Sequence, residues 1–369
     1  MEPSPSPLQA RSIAVVVGTR PEIIKLGHLI RLLGDAATIV HTGQHYDSGL
    51  SASFFAAFAL PEPAVLLEVG GSTRGAQIGR VVTELDRWLR ATPPRAVVVQ
   101  GDTNSTLGAA LAANACEIPI VHVEAGLRSF DRRMPEEHNR VLTDHLADLC
   151  LAPTELNRSN LLAEGIPEER IVVTGNTIVE AVQLLLPPEP VRQELLARYG
   201  VSSGGFVLST FHRPENVDDS KVLRAILEQL AAIDATVILP VHPRTARRLD
   251  GDLRRVAADI HIIEPIGYQD FLGLAAEAAM LISDSGGIQE EASVLGRPVI
   301  VVRRSTERPE VLGTFAVRIE PGPGIGEQAT RWLAEIDALH QRLAGIPSPY
   351  GDGTASERSV AAIGELLDG

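Results

Sequence analysis

The fold is decided by one stretch, LISDSGGIQEE at residues 281–291. Its apolar opening is typical of a buried strand, and the Ser-Gly-Gly that follows is typical of a sharp turn. Ile288, Ala292 and Leu295 then recur at helical spacing, which predicts a helix directly after the turn. A strand, a turn and a helix N-terminus together attract an anion through backbone N–H groups and the helix dipole. The stretch predicts a phosphate site at the carboxyl end of a parallel sheet, although an ordinary βα turn has the same pattern.

The alternation of strand and helix runs along the whole chain from residue 12 and occurs twice. A length of 369 residues also favours two domains. We therefore predict an α/β protein with two Rossmann-like, doubly wound domains that face a cleft. The predicted limits are a disordered tail at 1–10, an N-terminal domain at 11–176 plus 354–369, and a C-terminal domain at 177–353. The last strand is predicted at 298–302, and one long helix is predicted at about 326–343.

Composition excludes several classes of partner. The formal net charge of −14 argues against binding to nucleic acid or to an anionic membrane surface. No apolar run reaches the ~18 residues of a transmembrane helix. Residues 1–10 are rich in Pro and Ser and lack the apolar core of a signal peptide. Cys116 and Cys150 match no zinc spacing, so a reducing, cytoplasmic compartment is expected.

Neither half of the chain carries the signature of a common cofactor. No G-x-G-x-x-G follows the first strand of either predicted domain, which argues against a bound nicotinamide. The stretches at 122–124 and 136–138 contain His and Glu, but neither has a zinc-hydrolase spacing such as H-E-x-x-H. We therefore predict neither a cofactor nor a metal.

Polar residues concentrate at the carboxyl ends of the predicted strands. Asp102, Glu124 and Glu136 are the candidate acid/base groups of the first domain. A helix cap is the alternative interpretation of Asp102, and ordinary helix-dipole chemistry is the alternative for Glu136. Glu124 directly follows a strand and needs a partner, for which Arg128 is a candidate.

Cations and imidazoles accompany these carboxylates. Arg20 and Lys25 flank the first turn, where a lysine opposes the helix dipole unless it serves an anion. In the second domain His212 follows a strand and is a stronger functional candidate than His242. Several carboxylates, one histidine and an anion site together suit acid/base chemistry on the sugar of a nucleotide-diphosphate sugar.

Eight motifs, in order along nearly the whole chain, together resemble the non-hydrolysing UDP-N-acetylglucosamine 2-epimerase family. They are GTRPEIIK (18–25), TGQHYD (42–47), QGDTNS (100–105), HVEAGLR (122–128), PEEHNR (135–140), FHRPEN (211–216), SDSGGIQEE (283–291) and TERP (306–309). The resemblance implies a glycosyltransferase-B-like fold that closes over a UDP-sugar substrate, works without a cofactor and usually forms a homodimer. It implies a two-stage reaction: anti elimination of UDP to a bound 2-acetamidoglucal, then re-addition that inverts C2.

The resemblance also assigns roles to residues of this sequence. It implies that Asp102, Glu124 and Glu136 act around C2 and C3 of the sugar, and that His212 acts near the leaving diphosphate. It implies that Glu291 binds the ribose and that Phe271 lies against uracil. The remaining substrate-binding residues that it implies are Arg20, Lys25, His45, Arg140, His242, Ser285, Gly286, Gly287 and Arg308.

One position departs from part of the family. Members that are activated by a second substrate molecule carry Gln where this chain has Asp47. The TGQHYD form is more similar to the archaeal and modified-sugar branches, so substituents at C3 or C6 of the sugar are open. The default expectation is interconversion of UDP-GlcNAc and UDP-ManNAc. The alternatives are a hydrolysing 2-epimerase that releases UDP and ManNAc, and a UDP-sugar glycosyltransferase or sensor of the same fold.

Overall fold

A computed structural model describes residues 9–10, 12–44, 54–241, 243–249 and 251–368. The chain divides into two compact units, Met1–Gln183 with Tyr350–Gly369 (unit 1) and Leu184–Pro349 (unit 2). The domain limits proposed from the sequence, after 176 and before 354, stay a prediction.

The described residues of unit 1 form a parallel sheet of seven strands with helices between successive strands. The strands are β1 Ile13–Val17, β2 Ala37–His41, β3 Val65–Leu66, β4 Ala96–Gln100, β5 Ile120–Val123, β6 Leu149–Ala152 and β7 Ile171–Val173. The helices are α1 Arg20–Leu33, α2 Arg74–Ala91, α3 Asn104–Ala115, α4 Pro135–Leu146, α5 Glu155–Ala163 and α6 Ile178–Leu185, with 3₁₀ turns at Gly34–Ala36 and Glu168–Arg170. Residues 54–57 are also helical.

The strand order of this sheet fixes where its polar residues meet. The order is β3-β2-β1-β4-β5-β6-β7, so the direction of winding reverses between β1 and β4. In doubly wound sheets, ligands bind outside the carboxyl ends of the strands at this switch point. Every residue of β1 and of β4 is buried, as expected for central strands covered on both faces.

The end of the chain returns to unit 1 as helix α16, Ala355–Asp368. The Ser356 backbone N–H donates to Glu180 Oε1 at 2.7 Å, and the Ser356 hydroxyl donates to the other oxygen of the same carboxylate. A buried carboxylate at a helix N-terminus satisfies N–H groups that otherwise have no partner within the helix.

Unit 2 contains a second parallel sheet, of six strands. They are β8 Phe206–Thr210, β9 Thr236–Pro240, β10 His261–Ile263, β11 Met280–Ser283, β12 Val299–Val302 and β13 Ala316–Ile319, in the order β10-β9-β8-β11-β12-β13. The helices are α7 Glu189–Tyr199, α8 Pro214–Val217, α9 Ser220–Ala231, α10 Pro243–Ala246, α11 Gly251–Val256, α12 Tyr268–Glu277, α13 Gly286–Leu295, α14 Gly324–Leu333 and α15 Ile336–Ala344, with a 3₁₀ turn at Pro309–Val311. The switch point lies between β8 and β11.

Two predictions for this unit are wrong. The strand β13 was not predicted after β12, and only one of its four residues is buried, because it forms the edge of the sheet. The long helix predicted at about 326–343 is two helices, α14 and α15. The chain leaves helical geometry at Glu335, whose φ is −131°.

Candidate functional site

In unit 1 the predicted residues lie on loops that follow adjacent strands. Gly18 follows β1, Gly101 and Asp102 follow β4, and Glu124 follows β5. A Cβ added to Gly18 would lie 2.1 Å from Ser105 Oγ, so glycine is required where the first loop meets the start of α3. A Cβ at Gly101 would lie 3.5 Å from Glu124 Oε2, so the loops that carry the two candidate carboxylates are neighbours.

Glu124 is buried and pairs with Lys25. The Lys25 Nζ forms an ion pair with Glu124 Oε1, and the side chains of both residues are 6% exposed. Gln100 Nε2 donates to the other carboxylate oxygen, and Asn176 Nδ2 donates to Oε1 at 3.3 Å. Glu124 has a φ of +70°, a conformation that costs a non-glycine residue on the order of 1–3 kcal/mol and is concentrated at functional sites.

Arg128 is not the partner that the sequence suggested for Glu124. Its guanidinium lies 2.7 Å from Asp144 Oδ2 and donates to both oxygens of Glu164, at 2.7 and 2.6 Å. The prediction was wrong because Arg128 is near Glu124 in sequence but its side chain contacts α4 and the end of α5 instead. Lys25, one turn into α1, takes its place.

Asp102 is held by Arg140. The Arg140 Nε donates to Asp102 Oδ2 at 3.1 Å, Nη2 pairs with the same oxygen, and Nη1 pairs with Glu137. Glu137 also accepts hydrogen bonds from the backbone N–H groups of Ser129 and Phe130, at 3.0 and 2.7 Å. Arg140, expected to hold a phosphate or a sugar, is therefore 2% exposed and contacts two carboxylates.

Glu136, Arg20 and His45 are not brought into this cluster by contacts in the described part of the chain. Glu136 lies in the first turn of α4 and is exposed, and its side chain makes no hydrogen bond or ion pair with a described residue. Arg20 is exposed at the first position of α1. His45 lies outside the described residues.

One buried carboxylate of this site was missed by sequence reasoning. Glu22 accepts hydrogen bonds from the Gly18 and Thr19 backbone N–H groups at 2.8 and 2.6 Å. Its other oxygen accepts from the Thr103 and Thr106 hydroxyls at 2.8 and 3.1 Å, which joins the first loop to the loop that carries Asp102. Burial raises the pKa of Glu22, and these hydrogen bonds only partly offset it. The signal was present as a capping box, Thr19-x-x-Glu22.

In unit 2 the ends of β8 and β11 bring His212 next to Asp284. The His212 Nδ1 lies 3.1 Å from Asp284 Oδ1, and the His212 side chain is 41% exposed whereas that of Asp284 is fully buried. Asp284 Oδ2 accepts from the Arg213 backbone N–H and from Asn216 Nδ2, each at 3.0 Å. Burial alone would raise the pKa of Asp284, but the hydrogen bonds, that from His212 first, outweigh it and lower the pKa. Sequence reasoning assigned no role to Asp284.

The Ser285-Gly286-Gly287 turn opens helix α13 as predicted. Ser285 is the N-cap, and its backbone N–H donates to Ser283 Oγ at 3.0 Å. A Cβ on Gly286 would lie 2.7 Å from Arg308 Nη1 and 2.8 Å from Glu307 Oε1. Glycine therefore lets the Arg308 guanidinium lie directly against the start of the helix.

Arg308 is buried and paired with carboxylates. Its Nε donates to Glu290 Oε1 at 2.6 Å, and Nη1 pairs with Glu307. Arg303 Nη2 lies 2.7 Å from the other oxygen of Glu307. Arg303 and Arg308 thus share Glu307 as a carboxylate partner, an arrangement that the sequence did not predict.

The residues expected to bind the nucleoside lie on α12 and α13. Glu291 is 7% exposed and accepts a hydrogen bond from the Tyr268 hydroxyl at 2.9 Å. Burial, with the neighbouring charge of Glu291, raises the pKa of Tyr268, so the phenol stays protonated and donates. Phe271 lies one turn further along α12 and is half-buried. His242 lies outside the described residues.

The described residues contain no group of three or more His, Cys, Asp or Glu side chains arranged to hold a metal ion. None of their helices has the length and apolar character that crossing a membrane requires.

The sequence is similar to proteins of known activity over almost its full length. A family model described as UDP-N-acetylglucosamine 2-epimerase matches residues 34–364. The UDP-N-acetylglucosamine 2-epimerase of Methanocaldococcus jannaschii is 41% identical over 366 residues, which cover 95% of this chain and 98% of that relative. The UDP-2,3-diacetamido-2,3-dideoxy-D-glucuronate 2-epimerase of Pseudomonas aeruginosa is 38% identical over 369 residues, covering 96% and 99%.

The fold is similar to solved structures as well. The crystal structure of Methanocaldococcus jannaschii UDP-GlcNAc 2-epimerase in complex with UDP-GlcNAc and UDP matches with a TM-score of 0.83 at 40% identity, covering 95% of this chain and 99% of that one. The predicted class, α/β with two Rossmann-like parallel sheets, is confirmed. By its motifs, its fold and its similarity along nearly its whole length, this chain belongs to the UDP-N-acetylglucosamine 2-epimerase family.

Proposed function

We propose that this chain is a non-hydrolysing UDP-N-acetylglucosamine 2-epimerase that interconverts UDP-GlcNAc and UDP-ManNAc without a cofactor. The observation that carries the proposal is the pair of neighbouring carboxylates in unit 1. Glu124 is paired with Lys25, and Asp102 is paired with Arg140. Inversion at C2 requires proton transfer on two faces of the sugar, and so two acid/base groups.

In the first stage one carboxylate takes the C2 proton while the bond from C1 to the diphosphate oxygen breaks. The electron pair of the C2–H bond forms the C1=C2 double bond, and UDP leaves with the electrons of the C–O bond. In the second stage a diphosphate oxygen of the bound UDP bonds to C1, and the other carboxyl group delivers a proton to the opposite face of C2. We assign these two roles to Asp102 and Glu124, with Glu136 as a third carboxylate close to the sugar.

Unit 2 would hold the departing UDP. The turn of Ser285, Gly286 and Gly287 would cradle the diphosphate at a helix N-terminus, and Arg308 lies against that turn. His212 would stabilise or protonate the leaving oxygen through Nε2, since its Nδ1 contacts the buried Asp284. Glu291 would accept hydrogen bonds from ribose hydroxyls, and Phe271 would contact uracil.

The remaining predicted substrate contacts belong to the same proposal. Lys25 and Arg140 would act on the substrate mainly through the carboxylates that they hold, whereas exposed Arg20 would contact a phosphate directly. His45 and His242, by their motifs, would complete the binding site.

The chain is also proposed to form a homodimer in the cytoplasm, and the thiol state of Cys116 and Cys150 fits a reducing compartment. Light scattering of the purified chain tests the dimer.

The experiment is incubation with UDP-GlcNAc in deuterated water, followed by NMR and mass spectrometry. We expect deuterium at C2 of intact UDP-GlcNAc and UDP-ManNAc. Stoichiometric free N-acetylmannosamine would instead identify a hydrolysing enzyme. Because one relative is named for a diacetamido-glucuronate substrate, a panel of UDP-sugars substituted at C3 and C6 identifies the preferred sugar.

Variants test the assignment of roles. Asp102→Asn and Glu124→Gln should each abolish exchange at C2 while changing the Kd for UDP by less than about tenfold, ~1.4 kcal/mol. Asp352→Asn is the control, because Asp352 is exposed and pairs with Arg358 at the surface, 2.8 Å away. If both site variants exchange at the wild-type rate, the assigned roles are wrong.

A further inference from the structure

A buried histidine–aspartate pair lies behind the two loops that carry Asp102 and Glu124. His122, the third residue of β5, and Asp144, in the last turn of α4, are both fully buried. The His122 Nδ1 lies 2.6 Å from Asp144 Oδ1. Neither residue carries a role in the proposed chemistry.

The pair is hydrogen-bonded to both loops. His122 Nε2 donates to the Gly101 carbonyl oxygen at 2.8 Å, and Gly101 directly precedes Asp102. Asp144 Oδ2 accepts from the Gly126 backbone N–H at 3.2 Å, and Gly126 lies two residues after Glu124. One buried pair therefore connects the backbone beside one candidate carboxylate to the backbone beside the other.

These loops need such support because their backbones are unusual. Gly101, Glu124 and Gly126 have φ angles of +70°, +70° and +82°. A Cβ on Gly126 would lie 2.4 Å from the Asn157 carbonyl oxygen, so this loop also packs directly on α5. At Glu124, which unlike the two glycines carries a Cβ, a left-handed backbone persists only where the surrounding structure determines it.

Both ring nitrogens of His122 are hydrogen-bonded. The Gly101 carbonyl can only accept, so Nε2 carries a hydrogen. At 2.6 Å the contact between Nδ1 and Oδ1 also requires a hydrogen between them. Burial would raise the pKa of Asp144, but the charges of His122 and Arg128 outweigh it and lower the pKa. The lowered pKa keeps Asp144 an ionised acceptor for His122, Arg128 and the Gly126 N–H.

Further charges compensate the pair within the same cluster. Arg128 lies 2.7 Å from Asp144 and is itself held by Glu164. Removing one partner of a buried, compensated pair costs unfolding free energy. The pair therefore holds the Gly101 carbonyl and the Gly126 N–H in a defined position.

We propose that His122 and Asp144 are positioning residues of the epimerase, which set the placement of Asp102 relative to Glu124 through the carbonyl of Gly101 and the N–H of Gly126. The inference rests on the proposed function, because it takes both carboxylates as the acid/base groups. A displacement of about 1 Å in such groups costs up to roughly a hundredfold in rate, so the pair is a strong determinant of turnover without touching the sugar.

The test uses two substitutions, each of which can replace the hydrogen bond of only one of the two ring nitrogens. In His122→Asn, the short amide can still donate to Asp144 but does not reach the Gly101 carbonyl. In His122→Gln, the longer amide places a donor near the position of Nε2 and can restore that bond. His340→Asn is the matched control, because His340 in unit 2 also donates Nε2 to a carbonyl, that of Ala279, at 2.7 Å.

We expect His122→Asn to lower kcat about tenfold to a hundredfold with the Kd for UDP changed less than about twofold, and His122→Gln to recover part of the loss. Hydrogen exchange at the Gly101 amide, which donates to the Val123 carbonyl oxygen at 3.1 Å, should speed up in His122→Asn only. A wild-type kcat in a folded His122→Asn protein would overturn the proposal. A loss of UDP affinity as large as the loss of kcat would overturn it as well.

If His122→Asn does not fold, Asp144→Asn decides by the same two readouts: a lower kcat with unchanged UDP affinity supports the proposal, and unchanged kcat overturns it. The failure of the proposed function itself is distinguishable, because then the wild-type chain shows no exchange at C2. Exchange at the Gly101 amide still tests the positioning role in that case.

Discussion

Lys25 and Glu124 form a buried ion pair across 99 residues of sequence, between the first helix of unit 1 and the end of its fifth strand. The lysine is one of only two in the chain and is surrounded by apolar neighbours on α1. The Lys25 side chain is only 6% exposed, so its charge is paired in the interior and not at the surface. The pair places a compensated carboxylate next to the loop that carries Asp102, an arrangement that the proposed acid/base chemistry uses.

Lys25→Met should therefore reduce both stability and activity. Removing one member of a buried pair leaves an uncompensated charge, which costs about 3–5 kcal/mol of unfolding free energy. The double variant Lys25→Met/Glu124→Gln should recover most of that stability, because it buries no charge, yet remain inactive. Urea unfolding and the C2 exchange assay measure the two effects. A double variant as unstable as the single one would show that the pair is not what Lys25 contributes.

Asp284→Asn should lower turnover through His212. The buried carboxylate holds Nδ1 of the imidazole, and an amide can present its N–H side instead and favour the other tautomer. We expect kcat to fall about a hundredfold or more, with a smaller change in Kd for UDP. The pKa of Asp284 is lowered in the folded chain, so its stabilising contribution is present above the ordinary value of 3.8 and is lost as pH falls through the folded pKa. Unchanged kcat in the variant would remove His212 from the proposed mechanism.

Gly286→Ala should weaken UDP binding. The added Cβ would lie 2.7 Å from Arg308 Nη1, and Arg308 cannot move easily because it is buried and paired with Glu290. We expect the Kd for UDP to rise about threefold to tenfold, measured by calorimetry. Gly251→Ala is the control in the same unit, since no described atom lies within 4 Å of the added Cβ. Equal affinities in the two variants would argue against the turn as the diphosphate cradle.

The stability of the chain should fall between pH 6.5 and about 4 because of His41. Burial lowers its pKa to about 4, and the neutral ring accepts the Gly43 N–H at Nδ1, 2.9 Å away. In the unfolded chain His41 is protonated near pH 6.5, whereas in the folded chain it is protonated only near pH 4. Stability is therefore lost as the pH falls from 6.5 to about 4, and His41 causes no further loss below pH 4. The difference of about 2.5 between the two pKa values of His41 corresponds to a loss of roughly 3 kcal/mol of unfolding free energy. His41→Asn should flatten this part of the curve of unfolding free energy against pH, and a curve with the wild-type slope would contradict the account.

Local sequence was sufficient for most of the fold. The β-branched runs that became β1 and β4 are buried along their whole length, so continuous hydrophobicity identified them. The edge strand β13 has only one buried residue, so its hydrophobic pattern is no different from that of a loop. It is a strand because it pairs with β12, and the local sequence carries no signal of that pairing. The Ser-Gly-Gly turn was predictable because turn, glycine and helix spacing are all local signals.

Side-chain partners could not be predicted in the same way. Arg140 and Arg308 were expected to contact the substrate, and both are buried against carboxylates brought to them by the fold. The partner of Glu124 lies far away in sequence, whereas the nearby Arg128 is turned toward Asp144. Motifs therefore predict which residues carry the function, whereas the tertiary structure shows which residue each of them contacts.

The most direct test of the central claim is whether the bond between C1 and the diphosphate oxygen breaks during epimerisation. UDP-GlcNAc carrying a heavy oxygen isotope in that bridging position is incubated with the enzyme, recovered before equilibrium and analysed by phosphorus NMR. We predict that the label moves to the non-bridging positions of the β-phosphate with the wild-type protein and not with Asp102→Asn. Deuterium incorporation at C2 with the label still in the bridge would contradict it, because the proton would then exchange without elimination of UDP.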